Sequence, residues 1–305
     1  MPRSYRYLHL DVFTDRLFSG NQLAVFLDGR GLAVETMQAI ANEMNFSETT
    51  FVLPAERADT DVRMRIFTPS AELPIAGHPT IGSTFALARA GVIASDRDQC
   101  VFGLGIGPVP VELDWRNGDL SFAWMTQPLP TFSAPFRKVG CVAAALGIPE
   151  SVVADTRLPL QVVSCGVPFL MVPITTRAAV DSATLNMTAY DELVRALENQ
   201  ARGLFFFSQE RGEDKATVYS RMFAPEVGVF EDPATGVASG PLGCYLVRHN
   251  VVTAAAARSI LSLQGVKMGR PSQVHISIGV EDGDIRSVRV GGTSVLAGEG
   301  TLYIS

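Results

Sequence analysis

Apolar and polar residues alternate at two periods along the chain, and the two periods take turns. Residues 5–13 and 23–27 read as short apolar strands joined by a Gly20-Asn21 turn. From Val34 to Met44 the apolar positions Val34, Met37, Ile40, Ala41 and Met44 fall at helical spacing. Thr49 to Leu53 is β-branched and aromatic and Arg63 to Phe67 alternates, so both predict strands. Pro79 to Ala90 predicts a helix of small and apolar residues, ended by Gly91. Val109–Leu113 and Leu120–Met125 predict a hairpin around Asn117-Gly118. Gln127-Pro128-Leu129-Pro130 reads as a crossing between domains. The second half repeats the mixture: helices near 139–146, 189–199 and 238–249, strands at 160–164, 168–173, 203–207 and 217–223, and strands with Gly turns from Val274 onward.

A repeat underlies this pattern. Arg65-Ile66-Phe67-Thr68-Pro69 matches Arg221-Met222-Phe223-Ala224-Pro225. After three extra residues in the second copy, Glu72, Pro74 and Gly77 fall on Glu231, Pro233 and Gly236, and Leu87, Arg89 and Val92 on Leu246, Arg248 and Val251. Each copy reads as strand, acidic loop with proline, glycine, then an apolar helix. A helix that is apolar all round belongs inside its domain. Its N-terminus offers unpaired N–H groups and partial positive charge, which suit an anion. Two such ends converging across a pseudo-dyad would form a cleft for a carboxylate.

Composition narrows the function. With 305 residues, 47% hydrophobic and 18% charged, the chain can fill two cores. A net charge of -6 excludes the basic face that a phosphate backbone requires, and no polybasic run marks a membrane surface. No run of about 18 apolar residues predicts a membrane span. The N-terminus lacks the apolar core of a signal peptide. Cys100, Cys141, Cys165 and Cys244 are too scattered for a zinc site or dithiol pair and fit a reducing cytoplasm. His9, His249 and His275 have no ligand partners at metal spacing, so no metal site is expected. Gly103-Leu104-Gly105-Ile106-Gly107 precedes an alternating strand, not a helix, which reads as a hairpin rather than a nucleotide loop.

The segments Asn45–Val52, Arg65–Pro69, Glu72–Pro79, Glu231–Gly236 and Gly265–Ser272 resemble the PhzF-like isomerase family of phenazine biosynthesis, from about residue 7 to the C-terminus. The resemblance implies an α+β, diaminopimelate epimerase-like fold: two pseudo-symmetric domains, each a curved sheet round a central helix, with the site between them. The halves would be residues 1–127 with about 290–305, and residues 128–289. It further implies a cytoplasmic homodimer that works without cofactor on a small carboxylate-bearing substrate. By motif position, Glu48 is the acid/base, and His78 and Asp232 are its companions. Ser47, Gly77, Thr235, Gly236 and Val237 would line the same site. The family commonly has Ser where this chain has Val237, and that departure touches the substrate.

The residues alone leave other readings open. Glu48 is a junction carboxylate, His78 a helix-start imidazole and Asp232 an acid favoured by the helix dipole. Arg65 and Arg221 recur in both copies, which points to the scaffold. Thiol-based racemases of this architecture carry their thiols at the positions of Ala76 and Thr235, so that chemistry is disfavoured. A small-acid binding protein without chemistry, and an epimerase using carboxylate and imidazole, remain alternatives.

Overall fold

The structure is a computed structural model that describes residues 3–304; Met1, Pro2 and Ser305 lie outside the described residues, as does the side chain of Val227. Its strands follow one pairing rule twice. In the first half Arg3–Val12 pairs antiparallel with Asn21–Phe26, which runs parallel to Glu48–Pro54. Glu48–Pro54 is antiparallel to Val62–Phe67, and that strand is parallel to Gln99–Leu104. Gly107–Arg116 and Asp119–Gln127 complete the series as antiparallel neighbours. In the second half Leu160–Ser164, Pro168–Ile174, Leu204–Ser208, Val218–Phe223, Ile260–Gln264, Ser272–Glu281 and Asp284–Gly292 are joined by the same sequence of antiparallel and parallel steps.

The two halves are stitched at one seam, where Val288–Gly292 pairs with Ala123–Gln127. Each half also closes on its own first strand. Thr131–Phe136 pairs with Leu160–Ser164, and Ser294–Ile304 crosses back to pair with Arg3–Val12.

A single helix fills the inside of each half: Gly77–Arg89 in the first and Gly236–Arg248 in the second. Both bury most of their circumference, as expected for helices without a polar face. The first packs Ile81, Ala86 and Leu87 against Val12, Leu23 and Val111; the second packs Leu242, Cys244 and Leu246 against Phe205, Ile276 and Val288. Outside the sheets, Val34–Met44 covers the first half, and Val139–Leu146 with Met187–Ala196 covers the second. Among the described residues no helix is long and apolar enough to cross a membrane.

The repeat in sequence is a repeat in contacts. Arg65 forms a two-pronged ion pair with Glu72, at 2.7 and 2.6 Å, and Arg221 forms the equivalent pair with Glu231, at 2.8 and 2.9 Å. Each guanidinium also lies over the phenylalanine two residues on, Phe67 or Phe223. Both arginines therefore lock the strand to the acidic loop that leads into the central helix.

Several expectations are corrected in detail. The helix expected over 189–199 is Met187–Ala196, because Glu198 and Asn199 take left-handed backbone angles that no α-helix continues. The central helices begin at Gly77 and Gly236, two residues before the apolar run that announced them. The crossing at 127–130 leads at once into a strand, Thr131–Phe136, whose proline and mixed polarity hid it. The Gly103–Gly107 segment, by contrast, is the hairpin that was expected, with Leu104 opposite Gly107.

Candidate active site

The two central helices meet end to end. A Cβ built on Gly77 would lie 2.5 Å from Gly236 Cα, and one built on Gly236 would lie 2.9 Å from Gly77 Cα. Only glycine lets the two backbones come this close. The N-cap residues are Ala76 and Thr235, and neither side chain caps its helix. The Thr235 hydroxyl instead donates to Asp232 Oδ2 at 2.6 Å. Two positive helix ends, uncapped by side chains, thus open into one cleft of about 570 Å³, lined by residues of both halves.

Glu48 begins its strand beside Leu23, and its side chain is 12% exposed at the floor of the cleft. His78, in the first turn of the first central helix, places Nε2 3.2 Å from Glu48 Oε2. Both atoms are buried and neither has a hydrogen-bond partner among the described residues, while both residues line the cleft. Asp232 enters from the second half. The Asn21 amide donates to Asp232 Oδ1 at 2.7 Å and to the Ala234 carbonyl at 3.0 Å, and its Nδ2 also lies 3.0 Å from His78 Nδ1. Ser47 donates to the same aspartate.

The electrostatics follow from burial. Glu48 is pushed well above the ordinary carboxylate range, first by desolvation and then by the charge of Asp232. Burial lowers His78 to about 3, against a smaller opposing effect from its hydrogen bond to the Gln22 carbonyl. Burial raises Asp232 to about 6, held back by the hydrogen bonds from Thr235, Ser47 and Asn21. At neutral pH the Glu48–His78 pair is therefore favoured as acid and neutral imidazole rather than as an ion pair, while Asp232 carries the charge.

Glu48, His78 and Asp232 each offer an atom within 4.8 Å of the other two, a set that could also approach a divalent cation. Both oxygens of Asp232, however, already accept hydrogen bonds, from Asn21 and Thr235. Those bonds fix the orientation of the carboxylate within the network.

The structure brings together Glu48, His78, Gly77, Asp232, Thr235, Gly236 and Val237 as lining of the cleft. Ser47 reaches it only through Asp232. Three supporting residues escaped the sequence reading. Asn21, read as part of a turn, is buried and ties His78 to Asp232 across the halves. Gln264 donates to the Asp232 carbonyl and the Thr235 hydroxyl and accepts from the Thr235 N–H. Arg270 pairs with Asp11 at 2.5 Å and donates to the carbonyls of Ser19 and Gly20, fixing the loop that presents Asn21. Arg270 lies in the Gly265–Ser272 segment that carries the family resemblance, but Asn21 and Gln264 carry no spacing signal.

Known proteins resemble this chain over nearly its whole length. The family model for phenazine biosynthesis-like protein matches residues 10–300. An uncharacterized isomerase of Mesorhizobium japonicum is 34% identical, with 98% of each chain covered. The trans-2,3-dihydro-3-hydroxyanthranilate isomerase of Pseudomonas aeruginosa is 34% identical over 98% of this chain and 100% of that protein. A crystal structure of a Bacillus anthracis phenazine biosynthesis protein of the PhzF family superposes with a TM-score of 0.87 at 27% identity, covering 99% of this chain and 100% of the other. The chain belongs to the phenazine biosynthesis-like protein family, that of the PhzF-like isomerases.

Proposed function

We propose that the protein is a cofactor-independent isomerase that shifts a proton between carbons of a small carboxylate-bearing substrate, with Glu48 as the acid/base. The observation that carries this reading is the Glu48–His78 contact at 3.2 Å, between two buried atoms without hydrogen bonds, beside a pair of helix N-termini. The substrate carboxylate would rest on the backbone N–H groups that open the two central helices, where a full negative charge is favoured. In the ionised state Glu48 takes a proton from the adjacent carbon. The electron pair moves into the conjugated system, and the same carboxyl returns the proton at another carbon, so no external acid or base is consumed. Its raised affinity for protons makes one group competent in both directions. His78, a neutral imidazole 3.2 Å from the Glu48 carboxyl, would polarise it as the proton moves. Asp232, through Asn21, fixes the imidazole.

Val237 lines the cleft where the family commonly has Ser, and it offers methyl groups in place of a hydroxyl. This favours a substrate other than the dihydro-hydroxyanthranilate of the Pseudomonas relative, with an apolar edge at that point. A homodimer in the cytoplasm, with halves bounded near residues 127 and 290, belongs to the same reading.

The test is a panel of small unsaturated carboxylates, including trans-2,3-dihydro-3-hydroxyanthranilate, incubated in deuterated water and followed by NMR. Deuterium at carbon together with a shifted double bond supports isomerisation. Label with inverted configuration and no shifted bond would instead assign an epimerase. Ligand-induced stabilisation with no label in any member would leave only a binding protein.

A further inference from the structure

We infer that Arg202 selects a substrate with a second anionic group, separated by an apolar body from the carboxylate at the helix ends; this deepens, and rests on, the function proposed above. Among the described residues lining the cleft, Arg202 carries the one guanidinium or ammonium group. It forms no ion pair or side-chain hydrogen bond among the described residues, although Glu48, Glu72 and Asp232 line the same space. Glu72 is engaged by Arg65, and Asp232 by Asn21 and Thr235. Arg202 is exposed at the rim of the cleft, so its cation has no protein partner and stands open to an anion that enters.

The backbone that carries it leaves the helix through an exposed turn and is then held at the cleft's edge. Glu198 (φ 53°) and Asn199 (φ 58°) are both left-handed, which ends the preceding helix; asparagine takes this conformation readily, glutamate rarely. They turn the chain out of its helix toward the cleft, and Asn199 lines the cleft as well. The Arg202 N–H then donates to the Pro168 carbonyl at 2.8 Å. Gly203 packs so tightly that a Cβ there would fall 2.8 Å from the Phe223 carbonyl oxygen. Arg202 and Gly203 thus tie this segment to two stretches that contribute to the lining, through Pro168 and beside Met222 and Ala224.

The space fits the same conclusion. At about 570 Å³ the cleft lies in the range that takes ligands of about 300–1,000 Å³, well beyond a single six-membered ring. Leu73, Ile75, Val167, Phe169 and Met222 give it an apolar wall. A guanidinium at the edge of such a wall meets a carboxylate or phosphate two-pronged, which fixes orientation as well as affinity.

The experiment is isothermal titration of the parent, Arg202→Ala and Arg202→Lys with anthranilate and with anthranilates bearing a second carboxylate at ring position 4 or 5, attached directly or through one or two methylenes. In the parent, at least one of the dicarboxylates binds about 10-fold tighter than anthranilate. In Arg202→Ala that advantage disappears, and Arg202→Lys recovers part of it. No advantage in the parent, or an advantage that survives Arg202→Ala, overturns the inference. A Gly77→Ala protein, altered at the helix ends where the carboxylate would rest, separates the two levels. If it still binds anthranilate as the parent does, the proposed site itself fails; if it loses anthranilate while the second carboxylate adds nothing in the parent, only the role of Arg202 fails.

Discussion

Gly77 and Gly236 stand backbone to backbone, with a notional Cβ on the first only 2.5 Å from the Cα of the second. This contact makes one site out of two half-domains, because it aims both inner helices at the same point.

Gly77→Ala tests the contact directly. The added methyl meets backbone atoms of Gly236 and Val237, which cannot swing aside as a side-chain tip could. Overpacking of this kind costs about 1–3 kcal/mol. Urea denaturation should register that loss, and affinity for small carboxylates should fall with it. Stability and affinity equal to the parent's would mean that the helix ends do not abut.

Asp232 predicts a pH-dependent stability of definite sign. Its carboxyl is raised from 3.8 to about 6 in the fold, so the folded state holds the proton more tightly than the unfolded one. The stabilisation is complete below pH 3.8 and is lost as pH rises through about 6, on the order of 3 kcal/mol in all. Asp232→Asn lacks this loss. Its melting temperature relative to the parent's should climb between pH 4 and pH 7; a constant difference across that range would contradict the burial of a charged Asp232.

His78 predicts the opposite slope at lower pH. Its imidazole is lowered from 6.5 to about 3, so below pH 6.5 the unfolded chain binds a proton that the fold refuses. The parent should lose on the order of 1.4 kcal/mol per pH unit from this group between 6.5 and 3. Thermal scans of His78→Asn should show that part of the acid loss removed.

These groups also show how far the sequence could be read. Glu48, His78 and Asp232 sit in local motifs, and the repeat of Arg65 and Arg221 announced the pseudo-dyad. The two-period patterning was enough for most strands, because half-buried strands alternate visibly. Asn21 was not legible: an asparagine after glycine has turn chemistry, and only the fold reveals that it begins a buried strand between His78 and Asp232. Gln264 and Arg202 were invisible for a related reason. Their partners lie 29 or more residues away in sequence, and no local period encodes such a distance.

Arg221 carries a structural prediction. Its side chain is 6% exposed, pairs with Glu231 and donates to the carbonyls of Val180 and Ala183, whereas Arg65 is 15% exposed and is seen bound to Glu72 alone. Arg221→Ala strands a partly buried carboxylate and two carbonyls, which costs about 3–5 kcal/mol. Arg65→Ala should cost less. Chemical denaturation of both variants gives the order, and equal costs would refute the contrast.

The central claim is that one carboxyl, Glu48, moves the substrate's proton. The most direct measurement is the rate at which deuterium from the solvent enters a turned-over substrate, compared between the parent and Glu48→Gln at the same ligand occupancy. The account predicts a loss of about 100-fold or more, with binding retained. Exchange by Glu48→Gln at the parent's rate would show that the proton travels by another group.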